Sequence, residues 1–493
     1  MRKQLAALSF LYFLVISTFA QQVSELAKAT TPAIATSRAA ALRSPAKVCG
    51  ACIRAHMEFL ASDALRGRGS ATPDELIAAT YVGSELRQYG IDPAGDDGGY
   101  IQRAQLLTRV VNGPPQLTFT IPGNGTPSRE IARKHGSEIL VLHMSQSEVS
   151  GPLQKIDLAA GEQKVKPGAI VFLKAKEGKN PRATMIAAIQ AGAAAVLVSE
   201  YPSIRERWQE TSRQLPQLPS QLKGTAEAGL GEGYNLVVVS QSSVPALEHL
   251  PEGTTIHLAA PTTTSDNSYT WNAIGILRGT DPTLQHAAVL LSAHLDHLGI
   301  GEPVKGDNIY NGADDDASGT TAVLELARAL GAGARPRRTV IFALFGSEET
   351  GGLGSSYFRE HPPIPLKDIA ANLEFEMIGR PDPALKPNTV WLSGWERSNL
   401  GPVLASHGAR LAGDPHPDQN FFARSDNYVL AKKGVVAQTV SSFGLHSDYH
   451  QPSDDLAHID FKHMTWAIES LLRPVQWLVN SDFKPKWNKN GKP

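Results

Sequence analysis

Apolar positions change their spacing along the chain, and the changes divide it. From Ile53 to about Gln105 they recur at helical intervals, with stripes at His56, Met57, Phe59 and Leu60 and again from Ile77 through Leu86, until Gly90 stops the pattern. From about Ser137 to Ser243 shorter runs take over. Residues 169–173 and 195–198 read as buried strands on either side of a helix at 185–190, which predicts a small inserted α/β domain. After Pro261 the alternation becomes regular. Strands are predicted at 288–292, 339–344, 369–375, 390–392 and 435–440, separated by helical stretches at 320–330, 399–411 and 461–478. Strand, helix, strand in that order predicts an α/β fold, a three-layer sandwich around a mixed, largely parallel central sheet. The expected division is a discontinuous main domain at 48–136 and 244–485, interrupted at 137–243.

A chain of 493 residues is too long for one ordinary core, which agrees with two folded units. Its 42% hydrophobic and 19% charged residues suit a soluble globular protein, and a formal net charge of -1 argues against a nucleic-acid partner. At the N-terminus Arg2 and Lys3 precede an apolar run from about Leu8 to Phe19 and small residues near Ala20. This predicts a signal peptide over 1–20 and a loose leader rich in Ala, Ser and Thr over 21–47. The run is shorter than the roughly 18 residues a bilayer span needs, so no span is expected after cleavage and the product would be secreted or periplasmic. The two cysteines, Cys49 and Cys52, suit a short disulfide in an oxidising compartment. A zinc site needs about four ligands, and no second pair of cysteines completes one.

Ligands of open α/β sheets gather at the carboxyl ends of strands, so the polar residues just past each apolar run carry the candidate chemistry. The first such run ends in His294-Leu295-Asp296-His297. Residues two apart share a face of an extended chain, so His294 and Asp296 converge, Asp296 fixing the imidazole from behind, and His297 is expected to point away. Asp314, Asp315 and Asp316 precede the helix at 320. Taken alone they also suit a solvated helix start. Glu348 and Glu349 follow the strand at 339–344, Glu374 and Glu376 end the strand at 369–375, and Tyr449 and His450 come after the strand at 435–440. So many carboxylates on one face would repel one another strongly unless cations sat among them. Asp315, Glu349 and Glu376 with two neutral imidazoles balance most of the charge of two dications, and mixed N and O ligation suits zinc. The chain has no His-Glu-x-x-His helix motif, no Gly-x-Ser-x-Gly elbow and no phosphate loop, which leaves metal-assisted hydrolysis.

These stretches, in this order, resemble the zinc aminopeptidase family that also includes glutamate carboxypeptidases and glutaminyl cyclases. The resemblance covers about 262–482 and the leading residues from about Val48, including Phe59-Leu60-Ala61-Ser62-Asp63 and Gly67-Arg68-Gly69. The interruption resembles a protease-associated domain. The resemblance implies two Zn2+ per chain and peptide substrates. Asp315 would bridge the ions, with His294 and Glu376 on one and Glu349 and His450 on the other, and the Asp315-Asp316 peptide would be cis. Glu348 would be the general base, and Tyr449 resembles an oxyanion tyrosine. The family usually has Asp where this chain has Glu376, and Glu374 is the competing acid; Met377-Ile378-Gly379 sets the register on Glu376. Arg380 and Arg424 leave open whether a free amine or a free carboxylate is recognised. Aminopeptidase is the leading reading, with carboxypeptidase, glutaminyl cyclase and a non-catalytic binding protein as alternatives.

Overall fold

A strand that is apolar at every position must be covered on both faces, because each face carries alternate side chains. The computed structural model places the apolar runs accordingly. It describes residues 47–121, 128–156, 164–175, 181–225, 233–284 and 286–493, so the expected signal peptide and nearly all of the leader lie outside the described residues. The larger sheet is built on β1 (Ile101–Val111), β2 (Thr262–Leu277), β3 (Ala288–His294), β4 (Val340–Phe345), β5 (Ile369–Phe375) and β6 (Val436–Ser441). In spatial order they run β6, β5, β3, β4, β2, β1, with short strands at both margins. Strands β6, β5, β3 and β4 are mutually parallel, whereas β2 is antiparallel to both β4 and β1. The sheet is therefore mixed, parallel at its centre and antiparallel at its flanks.

Alternate residues of these strands enter two separate cores. Val289, Leu291, Val340, Phe342 and Leu373 pack with helices α1 (Gly50–Leu60), α2 (Pro73–Gln88), α3 (Gly319–Ala332) and α6 (Phe461–Asn480). Leu290, Ile341, Ala343 and Phe345 turn the other way, against α4 (Leu353–Glu360) and α5 (Asn427–Lys432). No helix among the described residues is long and apolar enough to cross a membrane. Cys49 and Cys52 are joined in a disulfide at the start of α1.

The sequence pattern fails in identifiable places. The helical reading from 53 to 105 holds through α1 and α2, but residues 101–105 belong to β1, where Gln102, Ala104 and Leu106 are buried in alternation. Strand β2, the longest in the protein, goes unannounced because Thr262–Asn267 is polar and largely exposed, and only its second half reaches the core. The helix expected at 399–411 is Leu400–Ser406, followed by a short strand at Leu411–Gly413.

A second sheet of eight strands lies between β1 and β2 in sequence, drawing on residues from Gln116 to Ala259. It is wider than the interruption expected at 137–243, since Gln116–Ile121 and Thr255–Ala259 pair with each other. It starts and ends at one place: Val111 pairs with Thr262, and the Asn112 N–H donates to the Pro261 carbonyl at 3.0 Å. The excursion thus hangs from the tip of the β1–β2 ribbon. Elsewhere the buried Arg68 ties the leading helices to the loops above the sheet, its guanidinium donating to the carbonyls of Leu60, Leu295, Asn311 and Gly312.

Candidate metal centre

Because β3, β4, β5 and β6 run in parallel, their carboxyl ends lie along one edge of the sheet, and the polar residues beyond them meet there. His294 closes β3, Glu348 and Glu349 follow β4, and Glu376 follows β5. The aspartate run at 314–316 is wholly buried, so the solvated-cap alternative does not hold. Each carboxylate has a separate task. Asp314 accepts from the Gly379 N–H at 2.7 Å and faces His446 Nε2 at 3.0 Å. Asp316 accepts from the N–H groups of Gly319 at 2.9 Å and Met377 at 3.0 Å. Asp315 alone turns into the cluster, its N–H held by Asp454 at 3.0 Å. The Asp315-Asp316 peptide is cis. Gly312, at φ +60°, permits this loop to close, since a Cβ there would stand 2.2 Å from the Asp315 carbonyl oxygen and 2.4 Å from His297 Cγ.

Around Asp315 two groups of potential ligands form, His294–Asp315–Glu376 and His297–Asp315–Glu349, with the donor atoms of each within 4.8 Å of one another. On one side His294 Nε2 is 3.1 Å from Asp315 Oδ1. On the other, His450 Nε2 lies 3.2 Å from Asp315 Oδ2 and 3.1 Å from Glu349 Oε2. Two ligands on one zinc, each about 2.0–2.2 Å from the ion, stand about 3.3–3.6 Å apart in a tetrahedron, so a small outward shift of these atoms would admit an ion between them. Both ring nitrogens of His294 and of His297, Nε2 of His450 and Oε1 of Glu349 are buried without a hydrogen bond. Buried polar atoms are nearly always satisfied, so this concentration of unpaired donors and acceptors fits divalent cations. The charge balance agrees. Burial above all, then Glu374 and Asp315, pushes the Glu376 carboxyl up to about 8 against His294 and Ser425. Asp315 is held well below its ordinary value: burial opposes this, but the close approach of the His294, His450 and His297 rings outweighs it.

Of the expected ligands, His294, Asp315, Glu349 and Glu376 fall in these two groups, whereas His450 stands beside the second group and His297 takes a place in it; two further points concern the acidic residues. Glu374 is committed elsewhere, accepting from Ser425 Oγ at 2.9 Å, the Asn427 N–H at 2.8 Å and Thr439 Oγ1 at 2.9 Å, which leaves Glu376 to face the cluster. Asp296 stands 3.7 Å from His294 Nδ1 and makes shorter bonds to Ser70 Oγ at 2.6 Å and to the Glu348 N–H at 3.0 Å. It therefore holds the acidic loop, while at 3.7 Å it makes no hydrogen bond to the histidine it was expected to orient.

The orientation expected for His297 is corrected. Rather than pointing away, its Nδ1 lies 2.8 Å from Glu349 Oε1 and 4.0 Å from Asp315 Oδ2. Face alternation applies only within a strand, and β3 ends at His294; beyond it the chain turns, with the His297 N–H bonded to the Arg68 carbonyl. Nothing in the spacing could have given this, although a fully buried His three residues from a ligand is a usable signal once the strand end is known. His297→Ala is expected to weaken zinc binding by about 10-fold to 100-fold or more, since loss of a group that only orients a ligand already does so. Calorimetric zinc titration checks this, and two unchanged binding events would reduce His297 to packing.

Above the cluster lies a small pocket of about 70 Å³ with an acidic floor of Asp315, Glu348, Glu349 and Glu376 and apolar walls including Met377, Trp391, Phe421 and Phe443. Tyr449 lines it too, stacked on the His450 ring with centroids 3.8 Å apart. Arg424 also lines the pocket, its guanidinium 5.0 Å from the centre of the Phe421 ring, whereas Arg380 is paired with Asp448 at 2.8 Å. Non-glycine residues with left-handed backbone flank the site at Ser347 (φ 53°), Met377 (φ 50°) and His450 (φ 58°), a concentration of strain usual where side chains must be aimed.

Comparison with known proteins gives a family match and a shared fold. Residues 272–474 match the profile described as peptidase family M28. A probable lipoprotein aminopeptidase of Mycobacterium tuberculosis is 26% identical over 439 residues, 81% of this chain and 78% of the relative. An aminopeptidase of Pseudomonas aeruginosa is 24% identical over 347 residues, 66% of this chain and 56% of the relative. Among solved structures, an aminopeptidase from Aneurinibacillus sp. strain AM-1 shares the fold at a TM-score of 0.51, with 17% identity over 88% of this chain and 95% of that one.

Proposed function

We propose that the protein is an exported, dinuclear zinc aminopeptidase that removes residues from the free amino end of peptides, a reading supported by the match of residues 272–474 to the profile of peptidase family M28. The observation that carries the reading is the set of buried, unpaired donor atoms arranged on both sides of Asp315 at the floor of a pocket. His294 and Glu376 would hold one ion and Glu349, His450 and His297 the other, with Asp315 shared. Bound there, the two ions would supply Lewis-acid polarisation of the scissile carbonyl and a water of lowered pKa.

The remaining chemistry falls to the protein's own groups. Glu348 lies outside both ligand groups yet lines the same pocket, which leaves it free to take the proton of the attacking water and return it to the leaving amine. Burial first, then Asp426, Glu349 and Glu376, against the opposing charge of His294, holds its carboxyl well above the ordinary value, the direction that favours proton uptake. The Tyr449 hydroxyl is kept protonated, chiefly by burial and then by Asp315, Glu349 and Glu376, and can donate to the developing oxyanion. The acidic floor suits a free α-ammonium group, and the aromatic walls suit an apolar first side chain.

The overall reading is a three-layer sandwich carrying the site, with the second sheet as a protease-associated domain inserted at the β1–β2 tip. A relative named as a probable lipoprotein aminopeptidase is compatible with export. Hydrolysis of aminoacyl reporters with free and acetylated amino groups tests the function. Cleavage confined to the free-amine reporters is the expected result; release from the carboxyl end, or cyclisation of an N-terminal Gln without hydrolysis, would replace this reading with one of its alternatives.

A further inference from the structure

A second, larger opening adjoins the metal centre. It is an open groove of about 730 Å³ lined by Thr108–Val111 and Leu215–Ser220, and Glu349 and Thr350 line it as well. Glu349 also lines the catalytic pocket, so the two spaces meet at the same side chain. Ligand pockets run to roughly 300–1,000 Å³, and a groove of this size exceeds what one amino acid would fill.

Its origin lies in how a strand pairing stops. Leu106 and Leu107 pair with Leu222 and Gln221, and the Gln105 carbonyl accepts from the Lys223 N–H at 2.9 Å. Running back from Gln221 the ladder would continue through Ser220 to Leu215. Pro219 and Pro216 have no N–H to donate, and here the chain departs from β1. The edge of β1 is left open beside the gap. Backbone groups alternate in direction along a strand: Gln105 faces outward toward Lys223, and the Asn112 N–H faces inward toward Pro261. Arg109 and Val111 therefore present their N–H and C=O groups to the groove, and among the described residues no backbone bond outside the β1–β2 ladder reaches them. The apolar side chains at the rim, Val110 and Leu215, are 59% and 40% exposed.

An open strand edge facing a groove that leads to a peptide-cleaving centre has one natural occupant, an extended peptide. We propose that residues downstream of the scissile bond lie extended in this groove as an added strand on Arg109 and Val111, so that the protein favours peptides of about four or more residues over dipeptides and amino-acid arylamides. This rests on the reading of the site as a free-amine exopeptidase. The inserted domain then selects substrate length, because the segment that walls the groove belongs to it.

The test is a length series sharing one N-terminal residue, from arylamide and dipeptide to hexapeptide, read as kcat/KM. An increase of about tenfold or more, levelling near four or five residues, is the gain expected from one or two backbone hydrogen bonds with some apolar burial. Arg109→Pro removes only the outward N–H and leaves the bonds to β2, so it should flatten the series while the arylamide is cleaved as before. Arg109→Ala keeps the N–H and should keep the length dependence. Leu215→Asp, on the opposite wall, should also flatten it and serves if the proline variant does not fold. A flat wild-type series with normal arylamide cleavage would overturn the groove, and so would equal flattening by Arg109→Ala and Arg109→Pro. Absence of any free-amine cleavage would instead remove the exopeptidase reading.

Discussion

Glu348→Gln is expected to lower kcat/KM on a free-amine reporter by about 10³-fold, within the range supplied by a positioned acid–base group, while leaving metal content unchanged. The substitution preserves size and the ability to hydrogen-bond but removes the capacity to accept a proton. It also leaves the Glu348 N–H bonded to Asp296 at 3.0 Å, so the acidic loop stays where it is. Because Glu348 belongs to neither ligand group, both ions should remain. Steady-state rates and zinc analysis on the same preparation separate the outcomes. A fall in activity with two ions retained assigns the proton transfer to Glu348; near-normal rates would pass that role to another group, and loss of an ion would make Glu348 a ligand.

Asp315→Asn should have the larger effect on the protein itself. The two carboxylate oxygens face opposite ways, Oδ1 toward His294 Nε2 at 3.1 Å and Oδ2 toward His450 Nε2 at 3.2 Å. Asparagine retains the shape but keeps only one acceptor and turns an NH2 group toward one of the sites. Both ions are then expected to bind poorly and hydrolysis to fall below detection. A second readout comes from linkage: an ion that binds only the folded state stabilises it by about 2.7 kcal/mol at a hundredfold excess over its Kd. Zinc should therefore raise the Tm of the wild type and leave that of Asp315→Asn nearly unmoved. An equal rise in both would show that Asp315 is not the shared ligand.

How much of this could be read in advance depends on where each residue stands. The ends of apolar runs located His294, Glu349 and Glu376, because a parallel sheet gathers its carboxyl termini on one edge whatever the rest of the chain does. Face alternation failed for His297, since the alternation ends with β3 and the orientation beyond it is set by a bond to Arg68, distant in sequence. Asp454 and His446 stand in the stretch around His450, but their roles could not be assigned for a related reason. They act on Asp314 and Asp315 through contacts that span 132 to 140 positions and leave no local pattern. The extent of the second sheet was obscured by its marginal strands: Arg129–Lys134 has no buried position, and period-two burial is the signal a reader would need. The first half of β2 was hidden in the same way by its exposure. Conversely, Glu374 and Glu376 could not be separated by spacing alone, and the three bonds that occupy Glu374 decide between them.

The most direct test of the central claim is elemental analysis of the purified protein after equilibration with zinc and removal of the free ion. Two zinc ions per chain is the result predicted by two ligand groups sharing Asp315. One ion or none would contradict a dinuclear centre and the mechanism built on it.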